Sequence, residues 1–506
     1  MPSSPHLPQQ GDTQQDLPVL CRLLLPDWVD PAAAFDELYA GSRYAVWLDA
    51  GATATTGVSY LAGAHAGSRF VTASARAGTV TCSRPLAGPG TAVTTTGSVF
   101  DFLRAETGPS SDQAGAGAEG DADAVAFRLG WVGWLGYGLA DPHPAGDRRE
   151  PDAALLHVDR AIAFDHAART VTLIARPAPG ESTSELDAWF AGTARRLAGH
   201  AAGADRAGRA GLPLPAPPLA VHWRHDAERY ARLIQACQER IVAGDAYQLC
   251  LTNEVTVAGT FDVNEVYRTL RTGSPSHHGG LIRFGTDALL SASPEEFLSV
   301  SPAGRLRTRP IKGTRPRSDD PATDRMLRAE LLASDKERAE NLMIVDLMRN
   351  DLGRVAALGS VAVTGLLEVE SYPHVHQLVS TVVGRLAPGL GAVDAVESCF
   401  PAGSMTGAPK ASAMGILRGL EGGDRGVYAG AFGYLGDDGT VDLAMVIRSI
   451  VLGPDGASIG TGGGITALSV AAEEIEETQV KARALIQALQ AASAASDPAG
   501  GQGLVT

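Results

Sequence analysis

From residue 225 onward, segments with a helical hydrophobic pattern alternate with shorter segments of strand pattern. The segment 225–244, HDAERYARLIQACQERIVAG, is strongly amphipathic and ends at a glycine, which predicts a helix. The same patterns predict helices at 322–351, 409–420 and 471–493, and strands at 247–257, 281–291, 297–308, 428–435, 441–453 and 457–461. This alternation restricts the second half of the chain to a mixed α/β domain.

Before residue 200 the strand pattern dominates. The runs YAVWLD, AVAFRLGWVGWLGYG and AIAFDHAARTVTLIAR are separated by turn residues, and 183–199 is one of few helical segments, so we predict a sheet-rich N-terminal domain. Composition predicts an insertion at 105–123, rich in Gly, Ala and Ser, and a linker at 200–220, where prolines accumulate. The expected organisation is a disordered tail (1–16), a first domain (17–199), the linker, a second domain (221–492) and a flexible tail (493–506).

Charge and cysteine content narrow the class of protein. The 506 residues carry a formal charge of −15, which argues against broad binding to nucleic acid or to acidic membranes. No apolar run is long enough to span a bilayer, and the polar start does not resemble a secretory signal. The five scattered cysteines show no metal-binding spacing, so we expect a cytoplasmic protein without thiol or zinc catalysis.

The segment RPIKGTRPR at 309–317 places Lys312 among arginines. If these arginines surround Lys312 in space, like charge and partial burial both favour the neutral, nucleophilic amine. A solvated basic loop explains the same residues equally simply. The segment alone does not decide between these interpretations.

Carboxylates occur on two separate predicted helices. Glu340 lies beside a buried apolar stripe, and AAEEIEETQVKARAL contains Glu477 four residues before Lys481. Carboxylates from two helices are suitable ligands for Mg²⁺. An exposed acidic helix is the alternative.

Two further features suggest a site for an anionic small molecule. The glycines of GTGGGITA at 460–467 let backbone N–H groups approach an anion, although neither a dinucleotide fingerprint nor a phosphate loop is present. Arg448 lies in an apolar predicted strand near Tyr428, and such a guanidinium is usually paired with a carboxylate of the protein or of a ligand.

Longer segments, taken together, are more specific than these single features. They are SPEEF (293–297), RPIKGTRPR (309–317), KERAENLMIVDLMRNDLGRV (336–355), VHQLVSTV (375–382), PAGSMTGAPK (401–410), YAGAFGYL (428–435), VIRS (446–449), GTGGGI (460–465) and ETQVKAR (477–483). In these segments the chain resembles the chorismate-utilising enzymes, and within that family the large components of aminodeoxychorismate synthases. The resemblance is strong over about 225–490.

The resemblance implies an anthranilate synthase large-subunit-like fold, in which extended β-sheets are flanked by helices and a smaller N-terminal domain packs on the chorismate-binding domain. It assigns Mg²⁺ to Glu340 and Glu477, and the role of general acid to Glu295. It also implies three groups of substrate-binding residues: Gly462, Gly463, Gly464 and Lys481 on the ring carboxylate, Arg448 and Tyr428 on the enolpyruvyl carboxylate, and Gly313 and Thr314 lining the pocket.

Lys312 distinguishes branches of this family, because anthranilate synthases resemble the chain closely but carry alanine at that place. The implied reaction is attack of the Lys312 amine on C2 of chorismate while the C4 hydroxyl leaves with a proton from Glu295. Ammonia then enters at C4 and releases the lysine, which gives 4-amino-4-deoxychorismate for 4-aminobenzoate, folate or a secondary metabolite. No glutaminase signature is visible, so a separate glutamine amidotransferase is the expected ammonia source.

Three alternative functions and two departures from the family pattern accompany this interpretation. Anthranilate synthase component I and a catalytically silent scaffold are the competing functions, whereas isochorismate-forming enzymes are disfavoured because Gln248 stands where they place a lysine base. The usual histidine before Leu-Val-Ser is replaced by Gln377, preceded by His376, and neither residue receives a role. The segment Trp47–Ala50 departs from the Leu-Glu-Ser of the tryptophan-regulated enzymes, which argues against inhibition by tryptophan.

Overall fold

The computed structural model describes residues 20–107, 126–140, 148, 150–178, 181–200, 219–372 and 374–495. The predicted tail 1–16 and most of the predicted insertion, linker and C-terminal tail lie outside these residues. Residues 105–107 form the end of a helix, and 493–495 belong to the last helix of the chain.

The helices of the described residues are α1 (Pro31–Leu38), α2 (Val99–Thr107), α3 (Thr183–Ala198), α4 (Ala227–Val242), α5 (Val263–Gly273), α6 (Pro321–Ala333), α7 (Asp335–Gly353), α8 (Ala392–Cys399), α9 (Lys410–Glu421) and α10 (Ala471–Ala495). Side-chain caps define several of their starts: Asp226 accepts from the Arg229 N–H at the start of α4. None of the helices in the described ranges is long and apolar enough to cross a membrane.

The strands are β1 (Cys21–Leu24), β2 (Tyr44–Asp49), β3 (Val58–Gly63), β4 (Phe70–Ser74), β5 (Thr79–Ser83), β6 (Val93–Thr96), β7 (Gly130–Leu135), β8 (Ala153–Val158), β9 (Arg160–Asp165), β10 (Thr170–Ala175), β11 (Val221–Trp223), β12 (Gln248–Ala258), β13 (His278–Phe284), β14 (Asp287–Ser293), β15 (Glu296–Val300), β16 (Arg305–Thr308), β17 (Ile311–Pro316), β18 (Ala362–Ser371), β19 (Val375–Arg385), β20 (Gly407–Ala408), β21 (Ala431–Gly436), β22 (Val441–Met445), β23 (Ser449–Gly453) and β24 (Gly456–Ile465). They form two 12-stranded sheets, so the predicted mixed α/β class is confirmed.

The first sheet has the order β1-β10-β9-β3-β2-β13-β14-β23-β24-β12-β11, with β20 also paired to β12. The second has the order β17-β19-β16-β15-β22-β21-β7-β8-β4-β5-β6, with β18 paired to β19. In each sheet a strand from before residue 200 pairs antiparallel with one from after residue 220, β2 with β13 and β7 with β21. The predicted boundary at 200–220 therefore separates segments that share both sheets, and its status as a domain boundary stays a prediction.

Four buried clusters show how the elements are layered. One cluster holds side chains from both sheets, including Ile282 of the first and Trp134 and Phe432 of the second. A second covers the outer face of the first sheet with α5 and α10, and a third covers the outer face of the second sheet with α2, α7 and α8. The fourth packs α4 and α9 against β12. The sheets thus lie face to face with helices outside them.

Several predicted elements are divided in the structure. The predicted helix 322–351 is two helices, because Ser334 ends α6 and its hydroxyl caps the Glu337 N–H at the start of α7. The predicted strand 281–291 is a hairpin that turns at Gly285, with φ of +70°, and 297–308 turns at Gly304, with φ of +71°. Because of these turns, β13 pairs with β14 and β15 pairs with β16. The same strands also pair with partners far along the chain.

Candidate active site

Lys312 lies on β17, where its partly buried amine has mainly acidic neighbours. Burial alone favours the neutral amine, but the thiol of Cys250 and the carboxylates of Glu295, Glu340 and Glu477 outweigh it and raise the pKa of Lys312 above its usual value. Three of these neighbours are residues that the sequence resemblance places in one site. The structure therefore brings the predicted lysine, acid and metal ligands together.

The arginines near Lys312 in sequence are paired with other groups. Arg307 binds both oxygens of Glu296, Arg309 pairs with Glu370, and Arg317 binds both oxygens of Asp324. Arg315 donates to Glu330 in the same way, at 3.0 Å. The interpretation that these arginines lower the pKa of Lys312 is wrong, because each guanidinium is held by its own carboxylate.

Glu295 immediately precedes β15 and is 7% exposed. Burial raises the pKa of its carboxyl group, while Lys312 and hydrogen bonds from the Ser404 hydroxyl and the Ile311 N–H act in the opposite direction. A buried carboxyl group beside an amine, with a raised pKa, is suited to hold and release a proton.

The carboxylates of α7 and α10 occur in two pairs spaced by three residues. Glu337 and Glu340 lie on α7, and Glu474 and Glu477 on α10. Burial raises the pKa of Glu340, and it raises the pKa of Glu474, which is 3% exposed. At Glu477 burial acts in the same direction, but the ammonium of Lys481 at 2.6 Å prevails and lowers the pKa. The i,i+3 spacing in the sequence could have indicated Glu337 and Glu474 as neighbours of the predicted ligands.

The glycines predicted to contact an anion lie within β24, close to these carboxylates. A Cβ atom at Gly463 would be 2.9 Å from Glu474 Oε2 and 3.8 Å from Glu477 Oε1. The carbonyl of Gly462 accepts a hydrogen bond of 2.7 Å from Lys481 Nζ. At Gly464 and Gly460 a Cβ atom would overlap the Gln248 amide and the Tyr428 ring, respectively. Side chains thus approach this strand at its glycines, which have none of their own.

Arg448 lies in the turn between β22 and β23 with φ of +51°, and not inside a strand as predicted. Its guanidinium is exposed, and within the described ranges it forms no ion pair. Desolvation by the surrounding groups lowers its pKa, against the effects of Tyr428 and Glu477, which places it near both. The Tyr428 side chain is buried, and burial raises its pKa well above the usual value.

Gly313 and Thr314 follow Lys312 on β17 at an irregularity in its pairing with β19. Gly313 has φ of +87°, and a Cβ atom there would be 3.0 Å from the Glu337 carboxylate. Thr314 is exposed and pairs with Gln377. Both residues therefore lie at the edge of the cluster formed by the carboxylates of α7 and α10.

On β12, sequence reasoning named Gln248 only as evidence against isochorismate-forming enzymes, and it missed Cys250. Cys250, 5% exposed, is among the groups that influence Lys312, and Gln248 lies two residues earlier on the same face. The Gln248 Oε1 atom is buried and has no hydrogen-bond partner in the described part of the chain. Strand periodicity shows that these side chains share a face, but not that the face belongs to the site.

Comparisons with known proteins agree with this geometry. Residues 69–487 match the family model described as chorismate binding enzyme. A relative named "Aminodeoxychorismate synthase" from Streptomyces griseus is 41% identical over 490 residues, which are 95% of this chain and 65% of the relative. Another of that name from Streptomyces pristinaespiralis is 45% identical over 379 residues, 73% of this chain and 52% of the relative. The chain thus spans between half and two thirds of the length of these relatives.

Proteins that carry a different name are also similar to this chain. "Anthranilate synthase component 1" of Streptomyces coelicolor is 42% identical over 386 residues, 73% of this chain and 74% of the relative. The crystal structure of anthranilate synthase component I from Streptococcus pneumoniae superposes with a TM-score of 0.72 at 28% identity, covering 92% of this chain and 99% of that one. The predicted anthranilate synthase large-subunit-like fold is confirmed.

Proposed function

Since this chain belongs to the chorismate binding enzyme family, we propose that it is the large component of an aminodeoxychorismate synthase and aminates chorismate at C4. The observation that carries the proposal is the environment of Lys312, whose pKa is raised by the charges of Glu295, Glu340 and Glu477 against the effect of burial. The relatives named "Aminodeoxychorismate synthase" support it. The reaction makes the protein a transferase that serves formation of 4-aminobenzoate and folate, or of a related secondary metabolite.

The carboxylates of α7 and α10 fit Mg²⁺. The raised pKa values of Glu340 and Glu474 reflect carboxylates that are crowded and partly desolvated, an arrangement that a hard divalent cation relieves. Glu340 and Glu477 would hold the ion, and Glu337 and Glu474 lie one helical turn before them on the same helices. Mg²⁺ bound there would supply positive charge for the ring carboxylate and would offset two of the groups that favour the ammonium form of Lys312.

Lys312 and Glu295 form a pair that can share one proton. The pKa of Lys312 is raised chiefly by its acidic neighbours against the effect of burial, and that of Glu295 is raised by burial. Moving the proton from the ammonium to the carboxylate yields a neutral amine and a neutral acid together. These are the two forms that the substitution requires, since hydroxide is a poor leaving group without a proton.

The substitution then proceeds in two steps. The Lys312 nitrogen bonds to C2 of chorismate, both ring double bonds shift by one position toward C4, and the C4 oxygen leaves as water with the Glu295 proton. Ammonia next bonds to C4, both double bonds shift back, and the Lys312 nitrogen leaves C2. The Glu295 carboxylate accepts the proton that the incoming nitrogen loses, which restores the starting enzyme.

Positive groups and backbone donors around the pocket bind the substrate carboxylates. Lys481 and the N–H groups of 462–464 contact the ring carboxylate, and Arg448 and Tyr428 bind the enolpyruvyl carboxylate. Arg448 suits this role because its exposed guanidinium has no ion-pair partner in the described ranges. Gly313 and Thr314 line the entrance beside the metal ligands.

The ammonia comes from a glutamine amidotransferase that associates with this chain. The proposed site contains an amine nucleophile and an acid, whereas hydrolysis of glutamine by the usual route needs a nucleophilic thiol. Cys250 does not meet that need, because burial raises the pKa of its thiol. All five cysteines are free, which agrees with the reducing cytoplasm as the place of action.

Product identification distinguishes the proposed function from that of an anthranilate synthase. The relative named "Anthranilate synthase component 1" makes that activity the second candidate. Purified protein is incubated with chorismate, Mg²⁺ and ammonia at alkaline pH, and products are identified by mass spectrometry with and without a 4-amino-4-deoxychorismate lyase. We expect 4-amino-4-deoxychorismate, and 4-aminobenzoate only when the lyase is added. Fluorescent anthranilate without lyase would refute the assignment, and absence of any turnover would favour a catalytically silent scaffold.

A further inference from the structure

A second group of titratable side chains lies between the two sheets, outside the proposed active site. His278 is the first residue of β13 in the first sheet, whereas Glu296 on β15 and Asp442 on β22 belong to the second sheet. One ligand-capable atom of each lies within 4.8 Å of the others. A nitrogen and two carboxylate oxygens therefore converge from two sheets on a small volume.

Polar atoms in this group are left without partners. The Nδ1 atom of His278 is buried and forms no hydrogen bond with any described residue. No ion pair or hydrogen bond in the described ranges reaches the partly buried Asp442 carboxylate. Tyr434, 2% exposed and directly opposite Asp442 in the β21–β22 pairing, has a buried hydroxyl that is also unpartnered. Buried polar atoms are rarely left unsatisfied, so these atoms are free to bind a ligand or a water.

The Glu296 carboxylate is partly used but keeps capacity for a further bond. Its Oε1 atom accepts from Ser299 and from Arg307 Nε, and its Oε2 atom accepts only from Arg307 Nη2, at 2.8 Å. A carboxylate has about four lone-pair positions, so one remains at Oε2. The Arg307 side chain is 46% exposed. It can therefore also move toward solvent, where its charge is not buried without a partner.

Carboxyl groups and guanidinium groups both influence the protonation of this cluster. Burial and the neighbouring Glu296 raise the pKa of Asp442 to about 7, with Arg307 acting in the opposite direction. Burial and the guanidinium groups of Arg309 and Arg307 lower the pKa of His278 to about 4, so the imidazole is neutral and able to ligate. Two carboxyl groups therefore lie beside an imidazole that is neutral.

We propose that His278, Glu296 and Asp442 form a binding site for a divalent transition metal of the Zn²⁺ class, distinct from the carboxylates that would hold Mg²⁺. One imidazole and two carboxylates match the donor preference of such metals, whereas Mg²⁺ prefers oxygen ligands alone. A water completes the coordination, and the Tyr434 hydroxyl lies on the side where it can bind that water. The metal would join β13 of one sheet to β15 and β22 of the other.

Metal binding itself tests the proposal, without reference to activity. The full-length chain is stripped with a chelator and titrated with Zn²⁺ in competition with a chromophoric chelator. We expect one equivalent to bind, and His278→Ala and Asp442→Asn each to weaken binding about tenfold or more. His277→Ala is the matched control, because His277 adjoins the site but is not among its ligands, and its affinity should stay within about twofold of the unmodified chain.

Two further measurements distinguish this metal site from the carboxylates of α7 and α10. The double variant Glu340→Gln/Glu477→Gln should retain Zn²⁺ binding, and loss of binding there would place the metal in the active site. Titration of the unmodified chain with Co²⁺ does not depend on any variant folding, and we expect the visible absorption of a four-coordinate ion. The weak absorption of a six-coordinate ion, absence of stoichiometric Zn²⁺ binding, or equal losses in His277→Ala and His278→Ala would each overturn the proposal.

Discussion

Lys312 is one of only four lysines in the chain, and the groups nearest to its amine are acidic. This environment favours the ammonium form in the free protein. Under the proposed function, ligands that neutralise Glu340 and Glu477, together with proton transfer to Glu295, would release the neutral amine. The amine would then stay inactive until metal and substrate are both in place.

Replacement of Lys312 tests the covalent role. We expect Lys312→Ala to lower formation of 4-amino-4-deoxychorismate by about 10²-fold or more, because the nucleophile is lost. Chorismate affinity, measured by equilibrium binding, should be largely kept. Lys312→Arg is the matched control: it retains the charge without a nucleophilic amine, so activity close to that of the unmodified chain in either variant would remove the covalent step.

The metal ligands can be tested against a neighbour on the same helix. Glu477→Gln removes a charge that would bind Mg²⁺, and we expect the Mg²⁺ concentration for half-maximal activity to rise about tenfold or more. Glu476→Gln, an exposed residue one position earlier, should leave it unchanged. Identical Mg²⁺ titrations for the two variants would contradict the ligand assignment.

Gly460 determines where the Tyr428 ring can lie. In Gly460→Ala the new methyl group would overlap that ring, so Tyr428 must move away from the position proposed to bind the enolpyruvyl carboxylate. We expect the KM for chorismate to rise about tenfold, equivalent to ~1.4 kcal/mol of binding energy. Gly419→Ala, at an open position on α9, is the control and should leave KM unchanged. A KM unaffected by Gly460→Ala would argue against a binding role for Tyr428.

The proximity of four predicted site residues could be expected from the sequence. The structure places Lys312, Glu295, Glu340 and Glu477 close to one another, as the resemblance implies. The place of Gln248 was indicated by the resemblance, because isochorismate-forming enzymes have a lysine base at that position. Cys250 was not predictable, because a cysteine on a strand carries no local sign of the face it occupies. The position of Arg448 was missed for a different reason, since a turn with positive φ at an arginine interrupts an otherwise continuous apolar pattern.

At the scale of elements, a buried ion pair connects the end of α9 to β12. Arg425 is 6% exposed, and its guanidinium binds both oxygens of Glu421 and the carbonyls of Met405 and Cys250. The Glu421 carboxylate also accepts the Thr252 N–H, at 2.9 Å. The pair therefore fixes the backbone of the strand that presents Gln248 and Cys250.

Breaking this pair should be costly for stability. We expect Arg425→Leu to lower the free energy of unfolding by about 3–5 kcal/mol, because Glu421 is left buried and uncompensated. The double variant Arg425→Leu/Glu421→Leu should recover part of the loss, since no charge then remains buried alone. Urea unfolding followed by fluorescence measures both, and additive losses in the double variant would contradict the coupling.

Helices and strands were predicted correctly where a single hydrophobic period continues along the segment. They were misjudged where a turn interrupts that period. Helix α4 was predicted within a few residues, because its apolar face and its terminal glycine are both visible in the sequence. The break at Ser334 carries a readable signal, a serine three residues before Glu337, but the helical period continues through it. The pairing of β2 with β13 has no local signal at all, because strand order depends on the whole chain.

At the scale of the whole molecule, the two segments on either side of 200–220 depend on each other. In the first sheet β13 is bordered by β2, and in the second β21 is bordered by β7. Without the first segment, both strands would become long exposed edges, and the apolar layer between the sheets would lose Trp134. The linker predicted from composition does not imply that either segment folds alone.

Separate expression tests this dependence. We expect residues 221–492 produced alone to be insoluble or partly folded, with weak near-ultraviolet circular dichroism and strong binding of a hydrophobic dye. Co-expression with residues 17–199 as a second chain is the control, because it restores the missing strands, and should recover soluble protein. A cooperative unfolding transition for 221–492 alone would show that it is an independent domain.

The interleaved sheets also govern when the chain can fold. Leu135 pairs with Ala431 and Trp47 with Leu281, so central strands of both sheets must wait for partners made much later in synthesis. Such high contact order slows folding and prolongs exposure of unpaired strand edges. The nascent chain therefore cannot complete either sheet during translation of its first half, and the strands made first keep unpaired edges until the second half has been synthesised.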